Sequence, residues 1–275
     1  MDDQRKELNM ESLAQKLFHL LCVKHYHLSE DYSETSFEEG FDSAKRFFDR
    51  FDGRLDVGDK TVLDFGCGFG STGIHIALNG ARRIVGIDID KDRVNFAKQK
   101  LASDYQNLSG VIEFRLASDM GSEKFDVVLS KDSFEHYTDP ENIIAIMKKH
   151  LRPDGTIAIG FGPLWKSPYG GHISFMTKIP WAHLLFPETV IMHERKRFRP
   201  DEDAESFGQI RGGLNKMTLE RYLSIIRESG LEFEFFRTNA SNRKLIPLFN
   251  VLRRIPFCRE YFTVNVYSIV RIRSA

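Results

Sequence analysis

Apolar positions early in the chain recur at helical spacing. Residues 8–28 carry Leu13, Leu17, Leu20 and Leu21 on one stripe, and a second stripe runs from Ser36 through Phe41, Ala44, Phe47, Phe48 and Phe51. From Val62 the pattern shortens into strand-length runs. Val62-Leu63-Asp64-Phe65 ends a buried strand, and the alternating glycines Gly66, Gly68 and Gly70 open a helix at Ser71. Further strands are expected within Arg83 to Asp90, Val111 to Leu116, Lys124 to Ser130 and Thr156 to Gly160. Helices fall between them at Lys91 to Leu101 and Pro140 to His150. Strands alternating with helices in this way make a doubly wound, mostly parallel sheet of the α/β class. After it, Thr218 to Ser229 reads as a helix stopped by Gly230, and two alternating stretches, Leu231 to Phe236 and Phe262 to Val270, close the sheet.

The chain divides accordingly into an N-terminal helical cap (1–52), a cofactor-binding core (53–160), a lid or substrate insertion (161–217) and the C-terminal part of the sheet (218–275). The insertion is too long for an ordinary connection, and such segments are commonly lids. It holds both tryptophans, Trp165 and Trp181, which suit either a flat acceptor or a packed lid. Arg195, Lys196, Arg197 and Arg199 stand before Asp201, Glu202, Asp203 and Glu205, a run read as a self-neutralised loop or, alternatively, as an anion site. Residues 244–261 mix apolar and basic positions. They either pack over an acceptor site or lie on a membrane or against a lipid-linked acceptor, and packing is the reading preferred.

Composition narrows the partners. Thirty-nine basic residues balance thirty-nine acidic ones in 275, which gives no field for wrapping nucleic acid and leaves a small-molecule acceptor as the expected partner. The cysteines, Cys22, Cys67 and Cys258, are scattered and odd in number. That pattern, with no apolar leader and no membrane-length run, points to a cytoplasmic protein. Oligomeric state is not legible.

The chemistry gathers at strand ends. Asp64-x-Gly66-x-Gly68-x-Gly70 offers main-chain N–H groups to a ligand, but Ser71 stands where a dinucleotide fingerprint has its third glycine. Asp64 would repel a pyrophosphate and would suit an ammonium group. Asp88, about twenty residues past the loop, is placed for a ribose diol, whereas Asp90 is placed to cap the next helix. The stretch from Asp64 resembles motif I of the class I S-adenosylmethionine-dependent methyltransferases, and Phe125-Asp126-Val127-Val128 with Glu135-His136 resembles that family's fourth strand and exit loop. The resemblance covers about residues 60 to 160 strongly.

That resemblance implies strand order 3-2-1-4-5-7-6, with strand seven antiparallel, and S-adenosylmethionine as cofactor. Its holders would be Asp64, Gly66, Cys67, Gly68, Gly70, Asp88, Ile89, Ser118, Asp119, Met120 and Ser130, with Asp119 on the adenine edge. N-terminal helices in this family often form one wall of the acceptor site, so Tyr26, His27 and Tyr32 are read either as wall candidates or, preferably, as helix-end surface residues. The expected reaction is O-methylation of a small molecule, a sugar or secondary metabolite. A nicotinamide-dependent oxidoreductase and a module that binds the cofactor without turnover are the alternatives. His172, in a Gly-Gly-His turn, and His136 are candidate bases, and Asp132, Glu135 and His136 resemble a trio that holds a divalent metal in ubiquinone-pathway O-methyltransferases. A helix brace and a metal-free base are the competing readings of that trio, and the metal is not the preferred one.

Overall fold

The computed structural model describes residues 13–23, 32–241 and 243–273. Seven strands form one sheet in the order β3-β2-β1-β4-β5-β7-β6: β1 Thr61–Phe65, β2 Arg83–Asp88, β3 Ile112–Leu116, β4 Phe125–Lys131, β5 Leu151–Phe161, β6 Leu231–Thr238 and β7 Val266–Ile272. β7 alone runs antiparallel to its neighbours. This is the expected architecture and strand order.

Alternation along the inner strands builds the two faces of the sheet. Val62, Val127, Leu129 and Ala158 point to a layer formed by helices Tyr32–Asp49, Ser71–Leu78 and Lys91–Asp104, with Phe47, Ile74 and Val94 among its buried members. Leu63, Val128, Ile157 and Ile159 point to the other layer, where helices Pro140–Lys149 and Leu219–Glu228 supply Ile144, Met147, Tyr222 and Ile226. Each of these side chains is at most 2% exposed.

Two boundaries differ from the sequence reading. β5 begins at Leu151 rather than Thr156, because Arg152 reaches Asp126 at 2.6 Å and draws the expected turn onto β4. β7 begins only at Val266, since Phe262 turns away to pack between Phe249 and Trp181.

The insertion after β5 has a core of its own, in which Ile173, Met176, Ile191 and Phe207 surround Phe18. Residues 13–21 are helical, and Val23 donates to the Met176 carbonyl at 2.7 Å, so this first helical segment is tied to the lid. Tyr26 and His27 lie outside the described residues, as does the side chain of Tyr32. Both tryptophans serve lid packing. Trp165 stacks edge-on to His183 and Phe207, and Trp181 donates its indole N–H to the Lys166 carbonyl. The charged run neutralises itself through Arg195 on Glu202, Arg197 on Glu194 and Lys196 on Asp203.

Candidate functional site

The carboxyl ends of β1, β2 and β4 meet at the glycine turn. Gly66, Gly68 and Gly70 all adopt left-handed backbone angles, with φ of 83°, 53° and 87°. A Cβ on Gly70 would lie 2.8 Å from both Ala97 and Phe114, so that glycine packs the turn onto the sheet. A Cβ on Gly68 would meet nothing within 4 Å, so this segment of main chain is open to a ligand.

Two acids frame the turn. Asp88 is 8% exposed and accepts from the Gly68 N–H and the Asp90 N–H, both at 2.9 Å, through different oxygens. Each oxygen keeps a lone pair for a diol. Asp90 instead caps helix Lys91–Asp104, accepting from the Asp92 and Arg93 N–H groups. Asp64 is 1% exposed, and its Oδ2 has no partner. Burial pushes its pKa up to about 7 against the opposing charge of Lys131. A buried carboxylate oxygen without a donor, beside open main chain and an acid with lone pairs to spare, fits a ligand that carries an ammonium group and a ribose. S-adenosylmethionine has both.

The remaining cofactor candidates divide by position. Ile89 is 88% exposed at the end of β2. Ser118 donates to Asp119 at 3.0 Å in a short turn after β3, and Met120 packs on the core below. Cys67 is buried, and its thiol pKa is raised by burial and by the nearby charges of Asp64 and Asp88. Ser130 lies near the end of β4. It is fully buried and its hydroxyl is bonded to Tyr137 at 3.0 Å, while the Tyr137 hydroxyl donates to the Phe65 carbonyl. Its side chain braces β1 against the β4 exit loop instead of lining the crevice.

Beyond β4 and β5 lies a cavity of about 760 Å³, lined in part by Asp132, Gly162, Tyr169, His172 and Phe249. Asp132 and His172 both hold left-handed backbone angles, φ 50° and 52°, unusual for residues with a Cβ. His172 Nε2 is buried without a partner. Burial and the neighbouring His136 and His183 lower its pKa to about 4, so the ring is neutral near pH 7. The His136 ring stands nearly perpendicular to it, with centroids 5.4 Å apart. His136 Nδ1–H donates to the Gly213 carbonyl at 2.6 Å, which leaves the Nε2 lone pair available.

Asp132, Glu135 and His136 do not converge as a metal site would require. Asp132 pairs with Lys131 at 2.8 Å, Glu135 accepts from the Gly162 N–H at 3.3 Å, and His136 faces the lid. Among the described residues no three His, Cys, Asp or Glu side chains group as metal ligands. Burial and the charge of Asp132 raise the pKa of Glu135 to about 8, and its second oxygen has no partner. The sequence reading missed Asn215, whose amide donates to the Phe134 and Tyr137 carbonyls at 2.8 and 2.9 Å and clamps the exit loop to the lid. No motif marks it. The pairing spans about eighty residues and exists only in the fold.

Comparison with known proteins agrees with this geometry. Residues 56–161 match the family described as a methyltransferase domain. A phosphoethanolamine N-methyltransferase of Triticum aestivum is 32% identical over 124 residues, 44% of this chain and 24% of that protein. A ubiquinone biosynthesis O-methyltransferase of Haemophilus ducreyi is 38% identical over 104 residues, 36% of this chain and 43% of that protein. The chain thus spans less than half the length of either relative. In fold, a methyltransferase structure from Mesorhizobium loti aligns over 84% of this chain and all of its own, with a TM-score of 0.54 at 16% identity. The [4+2]-cyclase SpnF aligns over 97% and 96% with a TM-score of 0.53, also at 16% identity. Residues 56–161 thus carry a methyltransferase domain, in a fold consistent with the class I S-adenosylmethionine-dependent methyltransferases.

Proposed function

We propose that the protein transfers a methyl group from S-adenosylmethionine to an oxygen of a small molecule held in the cavity beyond β4 and β5. The observation that carries the oxygen assignment is the buried, unpartnered Nε2 of neutral His172 on the wall of that cavity. A hydroxyl is a weak nucleophile until its proton is taken, whereas a neutral amine already presents a lone pair. An idle base therefore matters most for a hydroxyl acceptor.

When bound, S-adenosylmethionine supplies a methyl group on a sulfonium sulfur, which is reactive without further activation. The chain's contribution is placement and proton handling. Asp88 holds the ribose hydroxyls, Asp64 the ammonium, and the open main chain at Gly68 lets the ligand approach. His172 Nε2 takes the acceptor's proton, and His136 stands beside it as the second candidate for that proton. The 161–217 insertion supplies the wall that carries His172 and keeps water out. The relatives are named for different acceptors, one for nitrogen and one for oxygen, so kinship leaves the acceptor atom open and the oxygen reading is supported by His172 on this cavity.

The test is a turnover assay with a panel of hydroxylated and amine acceptors, with the products identified by mass spectrometry. Methyl ethers formed by the wild type and lost in His172→Gln support the reading. Methylamines only, with His172→Gln unaffected, overturn it. Cofactor binding without any product would favour a non-catalytic role.

A further inference from the structure

The segment between β6 and β7 presents two faces. Helix Ile246–Leu252 turns Ile246 and Phe249 toward the cavity. Outward, Leu248 is 51% exposed, Val251 58% and Phe257 82%. The sequence reading set packing over the acceptor site against lying on a membrane. The helix packs with one side and leaves the other apolar side uncovered by the described residues.

The charge around this face is one-sided. Residues 243–259 contain Arg243, Lys244, Arg253, Arg254 and Arg259 and no acidic residue, in a chain whose total charge is zero. Arg243, Lys244, Arg254 and Arg259 are exposed. An apolar surface ringed by basic side chains complements an anionic bilayer, where the apolar groups enter the acyl boundary and the basic ones meet headgroup phosphates. A second copy of this chain would be met by the same four exposed positive charges on both sides of a twofold contact, which repels. Arg243, Lys244 and Leu245 also line the cavity mouth, so the apolar face and the entrance are continuous.

We infer that the 243–259 segment docks the protein on an anionic lipid surface, with Leu248, Val251 and Phe257 inserted and the cavity mouth turned toward the bilayer. Docking needs neither cofactor nor turnover, so its failure and the failure of the methyl-transfer reading are separately visible.

The experiment is co-sedimentation of the full chain with vesicles of equal parts phosphatidylglycerol and phosphatidylcholine, against vesicles of phosphatidylcholine alone. Binding to the anionic vesicles is expected, and it should weaken as NaCl rises from about 0.1 M to about 0.5 M. Val251→Ser with Phe257→Ser should weaken it by roughly tenfold or more, since two apolar side chains stay in water. Arg254→Gln and Arg259→Gln should each weaken it by about fivefold. All four positions face outward or lie at the surface, and unchanged thermal melts would confirm folding. Equal recovery with both vesicle types, or equal binding by wild type and the folded serine variant, overturns the inference. So does self-association in light scattering that the serine pair abolishes while vesicle binding is absent.

Discussion

Asp88 accepts the main-chain N–H of Gly68 at 2.9 Å, so the acid at the end of β2 holds the glycine turn that follows β1. One carboxylate thus shapes the loop and is the proposed ribose acid. Asp88→Ala is expected to weaken S-adenosylmethionine binding by roughly 1.5–3 kcal/mol, the scale of hydrogen bonds to a charged group. Titration calorimetry reads this directly. Unchanged affinity in a folded variant would move the ribose role to Asp90, although that side chain is already occupied by its helix cap.

Asp64 makes cofactor affinity depend on pH. Its pKa in the free protein is raised to about 7, and an ammonium partner favours the ionised form. Binding should therefore release a proton near neutrality, and affinity should fall by up to about tenfold per pH unit below 7. Calorimetry in buffers of different ionisation enthalpy measures the proton, and Asp64→Asn should abolish the dependence while weakening binding.

The same burial has a stability consequence with a definite sign. A carboxyl whose folded pKa lies above its unfolded value keeps its proton longer in the folded state, so stability falls as pH rises from about 4 toward 8. This applies to Asp64 and to Glu135, whose pKa is raised to about 8. Glu135→Gln should stabilise the cofactor-free protein at pH 8 by about 1–3 kcal/mol, with little effect at pH 5. Thermal melts at the two pH values decide it.

His172→Gln should lower kcat by about 100-fold or more if its Nε2 accepts the acceptor's proton. With a pKa of about 4, His172 is deprotonated across the neutral range, so its protonation should not cut activity until pH falls below about 5. A His136→Ala variant that loses as much would place the proton transfer on the pair. Turnover should survive exhaustive chelation, because Asp132, Glu135 and His136 turn to separate partners; loss of activity restored by added metal would contradict that.

Gly70→Ala should destabilise the fold by about 1–3 kcal/mol, since it adds a Cβ at φ 87° within 2.8 Å of Ala97 and Phe114. Chemical denaturation measures the loss.

Sheet order, the glycine turn and the helix cap by Asp90 were legible because each rests on local pattern: strand runs, φ-permissive glycines and a capping position. The surroundings of Ser130 and Asp132 were not legible, for the opposite reason. Whether a serine at the end of β4 lines a crevice or braces Tyr137 depends on a side-chain rotation that no spacing encodes. The trio at 132, 135 and 136 lies within five residues of sequence, yet a left-handed residue and a short turn aim its members apart. The two faces of the 243–259 segment were visible as composition, but which face meets the cavity depends on where β6 and β7 end.

Those strand ends are joined by a narrow neck. Asn239 donates its N–H to the Asn265 carbonyl at 3.1 Å, its side-chain oxygen accepts from Val264, and the Asn265 side chain accepts from Ala240. Two asparagines close the base of the excursion on the rigid β6–β7 edge, on the far side of the sheet order from the ribose acid at β2. The excursion is in effect an interchangeable cassette. A lineage could replace what lies between residues 241 and 262, and with it the choice of acceptor, while the bonds of Asp88 to the Gly68 and Asp90 N–H groups stay in place.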